Sequence, residues 1–340
     1  MKIFIKIMII VLIMTVFSGC GQVAKPDNDK IKVVCTIFPQ YDWVGQIIGD
    51  QTGSIEVKLL LSNQADLHNY QPTVDDIITI SDCDLFIYTG GQSDQWVEDA
   101  LSEATNSEMV VINLLEELGN DAKIEEWTEG MEEEEHDHTS ELTSDLVIAT
   151  GDHEEGETEE GNEYDEHVWL SLRNAQKLCT VITEALTALD PDNATLYESN
   201  RISYQEKLSA LDDEYEQAVA GAVNKTLVFG DRFPFRYLLD DYDLDYFAAF
   251  SGCSAETEAS FETIAFLAQK ADELGVDTLM ITESGDRSIA ETISASTVAG
   301  GHRIVELDAI QSVTSDDIVA GITYLSIMQS NLQVLKDVIN

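Results

Sequence analysis

The sequence has little positive charge. Its 340 residues include 18 Lys and Arg against 65 Asp and Glu, which gives a formal net charge of −47 at pH 7. Proteins that bind nucleic acids through their phosphates need clustered Lys and Arg, so this composition excludes a nucleic-acid partner. Cations and basic molecules are still compatible with it. With 44% hydrophobic residues the chain nonetheless has the composition of a folded protein, and its length allows two domains of ordinary size.

The sequence also lacks the short motifs of common enzyme classes and of zinc knuckles. It contains no HExxH, no GxSxG and no phosphate-binding loop. Its five cysteines are widely spaced, without a CxxC pair. Cys35 and Cys83 lie in apolar, strand-like contexts, where a lone cysteine acts as a small buried hydrophobe. Spacing alone does not decide whether Cys35, Cys83, Cys179 or Cys253 takes part in a disulfide.

The N-terminus has the pattern of a targeting signal. Two lysines precede an apolar run over 7–17, which ends at small residues before Cys20. The run is too short to span a membrane, and the combination predicts a lipoprotein signal over 1–20, with cleavage before Cys20 and diacylation of its thiol. A plain cleaved signal or a membrane anchor is the alternative. Residues 21–30 then form a tether that holds the mature protein at the outer face of a bacterial cell membrane.

From residue 31 onward, short β-rich runs alternate with helical patterns. In the first half, strands are predicted over 32–38, 55–61, 85–89 and 109–114, with helices over 42–49, 74–81 and 96–104. In the second half, strands are predicted over 226–229, 246–250, 278–282 and 304–307, with helices over 234–240, 261–274, 289–298 and 316–338. Strands separated by helices cannot form hairpins, so each half predicts a mostly parallel sheet with helices on its faces.

Two helices connect the halves. One is predicted over 173–189, and a second begins at Pro191 and continues to about residue 220, which is a length of roughly 40 Å. The fold class is therefore α/β, with two lobes joined by one long rigid helix. We place the N-terminal lobe at 31–171, the connecting helical segment at 172–222 and the C-terminal lobe at 223–340.

An acidic loop interrupts the first lobe at 123–166. It is rich in Glu and poor in apolar residues, so it cannot bury enough surface to fold alone. Its histidines His136, His138 and His153 lie among carboxylates. Such a tract can collect divalent cations weakly, because it offers imidazole nitrogens and carboxylate oxygens without holding them in a fixed geometry.

Five residues outside this tract stand at strand ends or helix entries, where ligands bind in open parallel sheets. They are His68, His167, Asp231, Glu283 and Asp308. Each has an ordinary alternative role: a surface histidine, a histidine packed on a neighbouring Trp, an N-cap, or a carboxylate that binds loop backbone. Together they make a donor set suited to zinc or manganese, and a two-lobed protein would hold the ion between its lobes.

Several segments together resemble a known family. They are 34–41, Leu67-His68-Asn69-Tyr70-Gln71-Pro72, Glu166-His167-Val168-Trp169-Leu170, Asn174-Ala175, Tyr237-Leu238 and Ser254-Ala255-Glu256. With the acidic loop and the long helix, they resemble the metal-binding substrate-binding proteins of ABC transporters, the zinc and manganese uptake lipoproteins. The resemblance covers nearly all of the mature chain. It implies a monomer without enzymatic activity that binds one divalent metal ion, with an ABC permease and its ATPase as partners.

The resemblance also implies a ligand set. His68 and His167 match the two ligands of the N-terminal lobe. In the C-terminal lobe the family places a histidine, or a glutamate in manganese binders, where this sequence has Arg232, which cannot ligate a cation. Asp231, one residue earlier, is the substitute that we expect. The fourth ligand is a carboxylate from the last strand-helix loop, for which Asp308 is the first choice and Glu283 the second.

The donor types in this set bear on the choice between zinc and manganese. Two histidines with two carboxylates resemble manganese sites, because oxygen donors suit the harder ion. The acidic loop with its histidines instead resembles zinc-specific members, and the Irving–Williams order favours zinc at equal geometry. We predict zinc as the bound ion, with manganese as the alternative.

Two other classes are alternatives. A secreted metallohydrolase would use the same His and Asp residues to activate water. A surface adhesin or cation buffer would instead use the Glu-rich loop to bind many ions weakly.

Overall fold

A computed structural model describes residues 30–50, 53–62, 67–132, 163–254 and 258–340 of the chain. Ile31–Asn340 form one compact unit. The predicted signal at 1–20, most of the tether, and His136, His138 and His153 lie outside the described residues. No helix within the described ranges combines the length and apolar character that a membrane span requires.

The N-terminal lobe contains a four-stranded parallel sheet. Its elements are β1 (Ile31–Cys35), α1 (Phe38–Ile48), β2 (Ile55–Leu59), α2 (Val74–Ser81), β3 (Leu85–Tyr88), α3 (Trp96–Ser102), β4 (Val110–Asn113) and α4 (Leu114–Leu118). The strand order is β2-β1-β3-β4, and every neighbouring pair is parallel. All carboxyl ends of the strands therefore lie at the same edge.

The C-terminal lobe repeats this architecture. Its elements are β5 (Thr226–Phe233), α7 (Arg236–Asp241), β6 (Asp245–Ser251), α8 (Phe261–Leu274), β7 (Thr278–Thr282), α9 (Arg287–Ser296), β8 (Arg303–Leu307), α10 (Ser315–Val319) and α11 (Tyr324–Ile339). The order β6-β5-β7-β8 is again fully parallel and places the first strand second, as in the first sheet. The predicted likeness of the two halves is confirmed.

A pair of helices joins the lobes, as the sequence predicted. α5 (Leu172–Leu189) leads through a short 3-10 turn into α6 (Ala194–Ala220), which has 27 residues and is about 40 Å long. α6 packs against α5, α1 and α11. One apolar core extends from the first sheet through this helical layer to the second sheet, and includes Trp43, Tyr215 and Tyr324.

Local sequence signals explain the elements that were predicted to the residue. α2 begins after Thr73, whose hydroxyl accepts from the Asp76 amide while the Asp76 carboxylate accepts from the Thr73 amide. α8 begins after Ser260, whose hydroxyl accepts from the Thr263 amide. These bonds, reciprocal at Thr73 and single at Ser260, satisfy amides that have no partner inside the helix.

The largest differences from the prediction fall in three places. The first strand ends at Cys35 and α1 begins at Phe38, because Pro39 occupies the first turn, where a missing amide costs nothing. β5 continues past Phe229 to Phe233 through an irregular register, which periodicity does not reveal. The predicted helix over 316–338 is two helices, α10 and α11, because Thr323 caps a new start.

Candidate metal centre

Two histidines of the N-terminal lobe meet near the carboxyl ends of its strands. His68 lies in a 3-10 turn over Leu67–Asn69, and His167 immediately precedes a second turn over Val168–Leu170. Their Nε2 atoms are 3.2 Å apart. The His167 side chain is fully buried. Two imidazole lone pairs at this distance repel each other unless a proton or a cation lies between them, so the arrangement suits a shared cation.

The opposite nitrogen of each ring has a polar partner. His167 Nδ1 is 3.0 Å from Asp165 Oδ1, and His68 Nδ1 is 2.8 Å from Ser93 Oγ and 3.5 Å from Glu166 Oε2. Ser93 is held in turn, because its amide donates to Glu166 Oε1 at 2.8 Å. An Nδ1 that donates its proton leaves Nε2 with a lone pair for a metal, which is the usual outer arrangement around metal-binding histidines.

A cysteine of the C-terminal lobe supplies a third donor. Cys253 follows β6 by two residues, and its Sγ and one ring nitrogen each of His68 and His167 all lie within 4.8 Å of one another. Its amide donates to Glu125 Oε1 at 2.9 Å. Two imidazoles and a thiol are ligands that zinc prefers. Among the residues that the structure describes, His68, His167 and Cys253 are the one group of three or more His, Cys or acidic side chains close enough to hold an ion.

Buried carboxylates surround these donors. Burial raises the pKa values of Glu125 and Glu166 above their ordinary range, although hydrogen bonds from Cys253 and Ser93 oppose the shift. Burial lowers the pKa of His167, but Asp165, Glu166 and Glu125 outweigh it and the net shift is upward. The pocket therefore has a negative field that attracts a cation.

The structure places Asp231 inside a strand rather than after one, which corrects the predicted position. β5 continues through it, and its Oδ2 accepts from the Thr282 amide at 2.9 Å and from the Thr282 hydroxyl at 2.6 Å. Arg232 lies next on the same strand, in register with Phe250. Asp231 is thus engaged in joining β5 to β7, outside the group of three donors.

Glu283 and Asp308 lie together after β7 and β8. Glu283 accepts from the amides of Ala309 at 2.8 Å and Gln311 at 3.0 Å, and Asp308 accepts from the amide of Ile310 at 2.7 Å. Burial, together with the nearby Glu283 carboxylate, raises the pKa of Asp308 to about 7. The structure brings these two carboxyl groups close to each other and leaves both outside the group formed by the two histidines and the cysteine.

Comparison with known proteins then identifies the family. Residues 33–338 match the family model described as ZnuA, zinc-uptake complex component A periplasmic. The chain belongs to this zinc-uptake family.

Individual relatives agree with this assignment. The zinc-binding lipoprotein AdcA of Streptococcus pneumoniae is 30% identical over 318 residues, which are 94% of this chain and 57% of the relative, so the chain spans little more than half of that protein. The high-affinity zinc uptake system protein ZnuA of Bacillus subtilis is 29% identical, over 94% of this chain and 92% of the relative.

Solved structures show the same fold. The Zn(II)-bound ZnuA-like domain of Streptococcus pneumoniae AdcA has a TM-score of 0.66 at 27% identity, with 91% of this chain and 99% of that chain covered. The metal-dependent lipoprotein YcdH of Bacillus subtilis has a TM-score of 0.69 at 27% identity, with 92% and 100% covered. The two-lobed α/β fold with a long helix is therefore the fold of the zinc-uptake family, which is a transport family.

Cys253 is not among the ligands predicted from the sequence. It lies directly beyond the strand that was predicted over 246–250, at the kind of strand end that selected the other candidates. The family pattern places the third ligand at Arg232, for which its neighbour Asp231 is the predicted substitute. Applying the strand-end rule to thiols as well as to imidazoles and carboxylates would have added Cys253 to the candidates.

Proposed function

We propose that this protein captures a zinc ion outside the cytoplasm and delivers it to the permease of an ABC importer, whose ATPase drives uptake. The observation that carries the proposal is the convergence of His68, His167 and Cys253 on one small volume. The first two donors come from the N-terminal lobe and the third from the C-terminal lobe, so an ion held by all three is enclosed between the lobes. Binding and release, without chemistry on the ion, are the whole task.

The donor set supports zinc over manganese. Imidazole and thiol are borderline or soft ligands, whereas manganese is held mainly by oxygen donors. The carboxylates that would have made a manganese-like set, Asp231 and Asp308, are engaged elsewhere. The names of the relatives, which include zinc-binding and zinc-uptake proteins, agree with this choice. Manganese is the weaker candidate for the cargo.

The proposed function assigns a role to each part of one chain. We assign the N-terminal lobe to 31–171, the connecting helices to 172–222 and the C-terminal lobe to 223–340. A monomer suffices, because one chain supplies all three donors. At the N-terminus, diacylated Cys20 anchors the mature chain to the outer face of the cell membrane, in agreement with the relatives that are named lipoproteins.

The acidic loop has a separate role in this proposal. Its histidines His136, His138 and His153 collect divalent cations weakly and raise their concentration near the cleft. Weak sites of this kind accelerate loading when metal is scarce and leave the affinity of the enclosed site unchanged.

Competitive titration of the metal-free mature chain with zinc and manganese tests the function. We expect one tight zinc site and weak manganese binding in the wild type. His68→Ala is expected to lose the tight site and keep weak loop sites. His302→Ala is the matched control, because His302 lies at the opposite end of the second sheet, just before β8, where Ser294 and Thr297 contact its ring.

Three results would contradict parts of the proposal. Tight zinc binding that survives in His68→Ala would place the site elsewhere. Tight manganese with weak zinc would change the cargo. The absence of any tight site would return the protein to the class of cation buffers or adhesins.

A further inference from the structure

Cys253 differs from the other cysteines that the structure describes. Cys35, Cys83 and Cys179 are fully buried in the apolar core, whereas Cys253 is partly exposed and its sulfur faces two imidazoles. All four are free thiols. A thiol in the core needs no function beyond packing, but a thiol beside two histidine nitrogens is in a position to bind metal.

The backbone next to Cys253 passes close to the ring of His167. A Cβ on Gly252 would lie 2.9 Å from the Phe233 carbonyl oxygen and 3.1 Å from His167 Cε1, so only glycine allows the chain to pass this close to the imidazole. The Cys253 amide is fixed on the other side by the Glu125 carboxylate. Two independent contacts therefore hold the loop so that residue 253 projects toward the histidines.

The distances agree with a tetrahedral zinc ion. Two nitrogens at 2.0–2.1 Å from such an ion lie about 3.3 Å apart, close to the observed 3.2 Å between His68 Nε2 and His167 Nε2. A nitrogen and a sulfur around the same ion lie about 3.6 Å apart, so the sulfur, now within 4.8 Å, has to approach by about 1.2 Å at most. A side-chain rotation is enough for a movement of this size.

We propose that the thiolate of Cys253 is a ligand of the captured ion, so that the site takes thiophilic d¹⁰ cations such as zinc and cadmium and rejects manganese. This inference rests on the proposed function. On binding, a metal–sulfur bond forms, the S–H bond breaks and the proton leaves to solvent. The thiolate and two neutral imidazoles reduce the charge of a divalent ion to +1, and the surrounding carboxylates of Asp165, Glu166 and Glu125 compensate the remainder.

Replacement of zinc by Co²⁺ tests the sulfur ligand, because cobalt bound to a thiolate shows a sulfur-to-metal charge-transfer band in the near ultraviolet. We expect this band in the wild type and in Cys83→Ala, a control at a buried cysteine of the N-terminal lobe. Cys253→Ser is expected to bind cobalt without the band, and its zinc affinity should fall by about 100-fold or more, since even outer partners of ligands contribute 10–100-fold. Cys253→Asp should reduce the ratio of zinc to manganese affinity at least about tenfold.

Alkylation of the wild type provides a second readout that does not depend on the folding of any variant. Burial and the neighbouring carboxylates raise the pKa of the Cys253 thiol, so the reaction is run at alkaline pH, where iodoacetamide should modify Cys253 in the metal-free mature chain. One equivalent of zinc should protect it, as peptide mass spectrometry reports. A cobalt complex without the band, or equal alkylation with and without zinc, would overturn the thiolate ligand. If the thiolate ligand is overturned but the wild type binds zinc tightly and His68→Ala does not, the proposed function stands without a sulfur ligand. If the wild type has no tight zinc site, the proposed function itself fails.

Discussion

Replacement of Asp42 by Asn should stabilise the protein at neutral and alkaline pH. Asp42 lies in α1 with 8% of its surface exposed, and it accepts from the Tyr324 amide at 3.2 Å. Longer contacts of 3.4 Å join it to the Gln46 amide group and the Tyr204 hydroxyl. Burial raises its pKa to about 6, and these hydrogen bonds offset the shift only in part. The Asp42 side chain therefore forms hydrogen bonds that link α1 to α6 and α11, but its ionised form destabilises the fold because it is buried.

The magnitude follows from the difference between the folded and unfolded pKa. A folded pKa of about 6 against 3.8 is a shift of about 2 units, or about 3 kcal/mol of penalty when the group is ionised in both states. Below pH 6 the folded state takes up a proton that the unfolded state does not, so this penalty disappears as the pH falls. About 2 kcal/mol of this penalty is removed between pH 8 and pH 4. The loss levels off near pH 4, because there the unfolded carboxyl also takes up a proton.

Urea unfolding of Asp42→Asn and wild type at pH 8 and pH 4 measures this term. Both proteins are kept metal-free with a chelator, since bound zinc would add its own stabilisation. We expect the free energy of unfolding of the variant minus that of wild type to be about 2 kcal/mol larger at pH 8 than at pH 4. Asp213→Asn, at an exposed position of α6, controls for the loss of one charge. A difference between Asp42→Asn and wild type that is the same at both pH values would refute the argument.

Three further outcomes are expected. Gly252→Ala should lower zinc affinity about tenfold by calorimetry, because the added methyl displaces the His167 ring; unchanged affinity would show that the loop yields freely. Asp165→Asn should lower zinc affinity about 10–100-fold by the same calorimetry, because the carboxylate that orients His167 is lost; an affinity equal to that of wild type would show that this contact does not orient the ring. Deletion of 133–162 should preserve the dissociation constant and slow loading at limiting zinc in stopped flow; loss of tight binding would assign the loop to the site itself.

Much of the fold follows from local signals. The alternation of apolar runs and helical patterns predicted both parallel sheets, and cap residues such as Thr73 and Ser260 fixed helix starts. The extension of β5 to Phe233 was missed because its irregular register is set by pairing with β6, which no local pattern contains. The break before α11 was missed because the apolar spacing of the two helices is nearly continuous, and Thr323 is an inconspicuous cap.

The site was predictable only in part. His68 follows a predicted strand, His167 lies at a helix entry, both belong to segments that resemble a family, and the structure brings them together. The third donor depends on how the two lobes are joined, since Cys253 belongs to one lobe and its amide donates to Glu125 of the other, beside the histidines. Such a contact is a property of the assembled fold. Periodicity and spacing describe each lobe separately and do not reveal it.

The packed junction between the two lobes resists their wide separation. The apolar core is continuous between them: Trp43 of the first lobe packs edge-on against Tyr324 of the last helix, with ring centroids 5.3 Å apart. Trp169 Nε1 donates to the Ala309 carbonyl at 2.8 Å across the same junction. Opening this junction would expose apolar surface to water, which costs about 25 cal/mol of free energy for each Å² exposed. Under the proposed function, a permease would meet two lobes that stay joined, and release of the ion would involve local opening of the loops around it, a motion of the microsecond-to-second range.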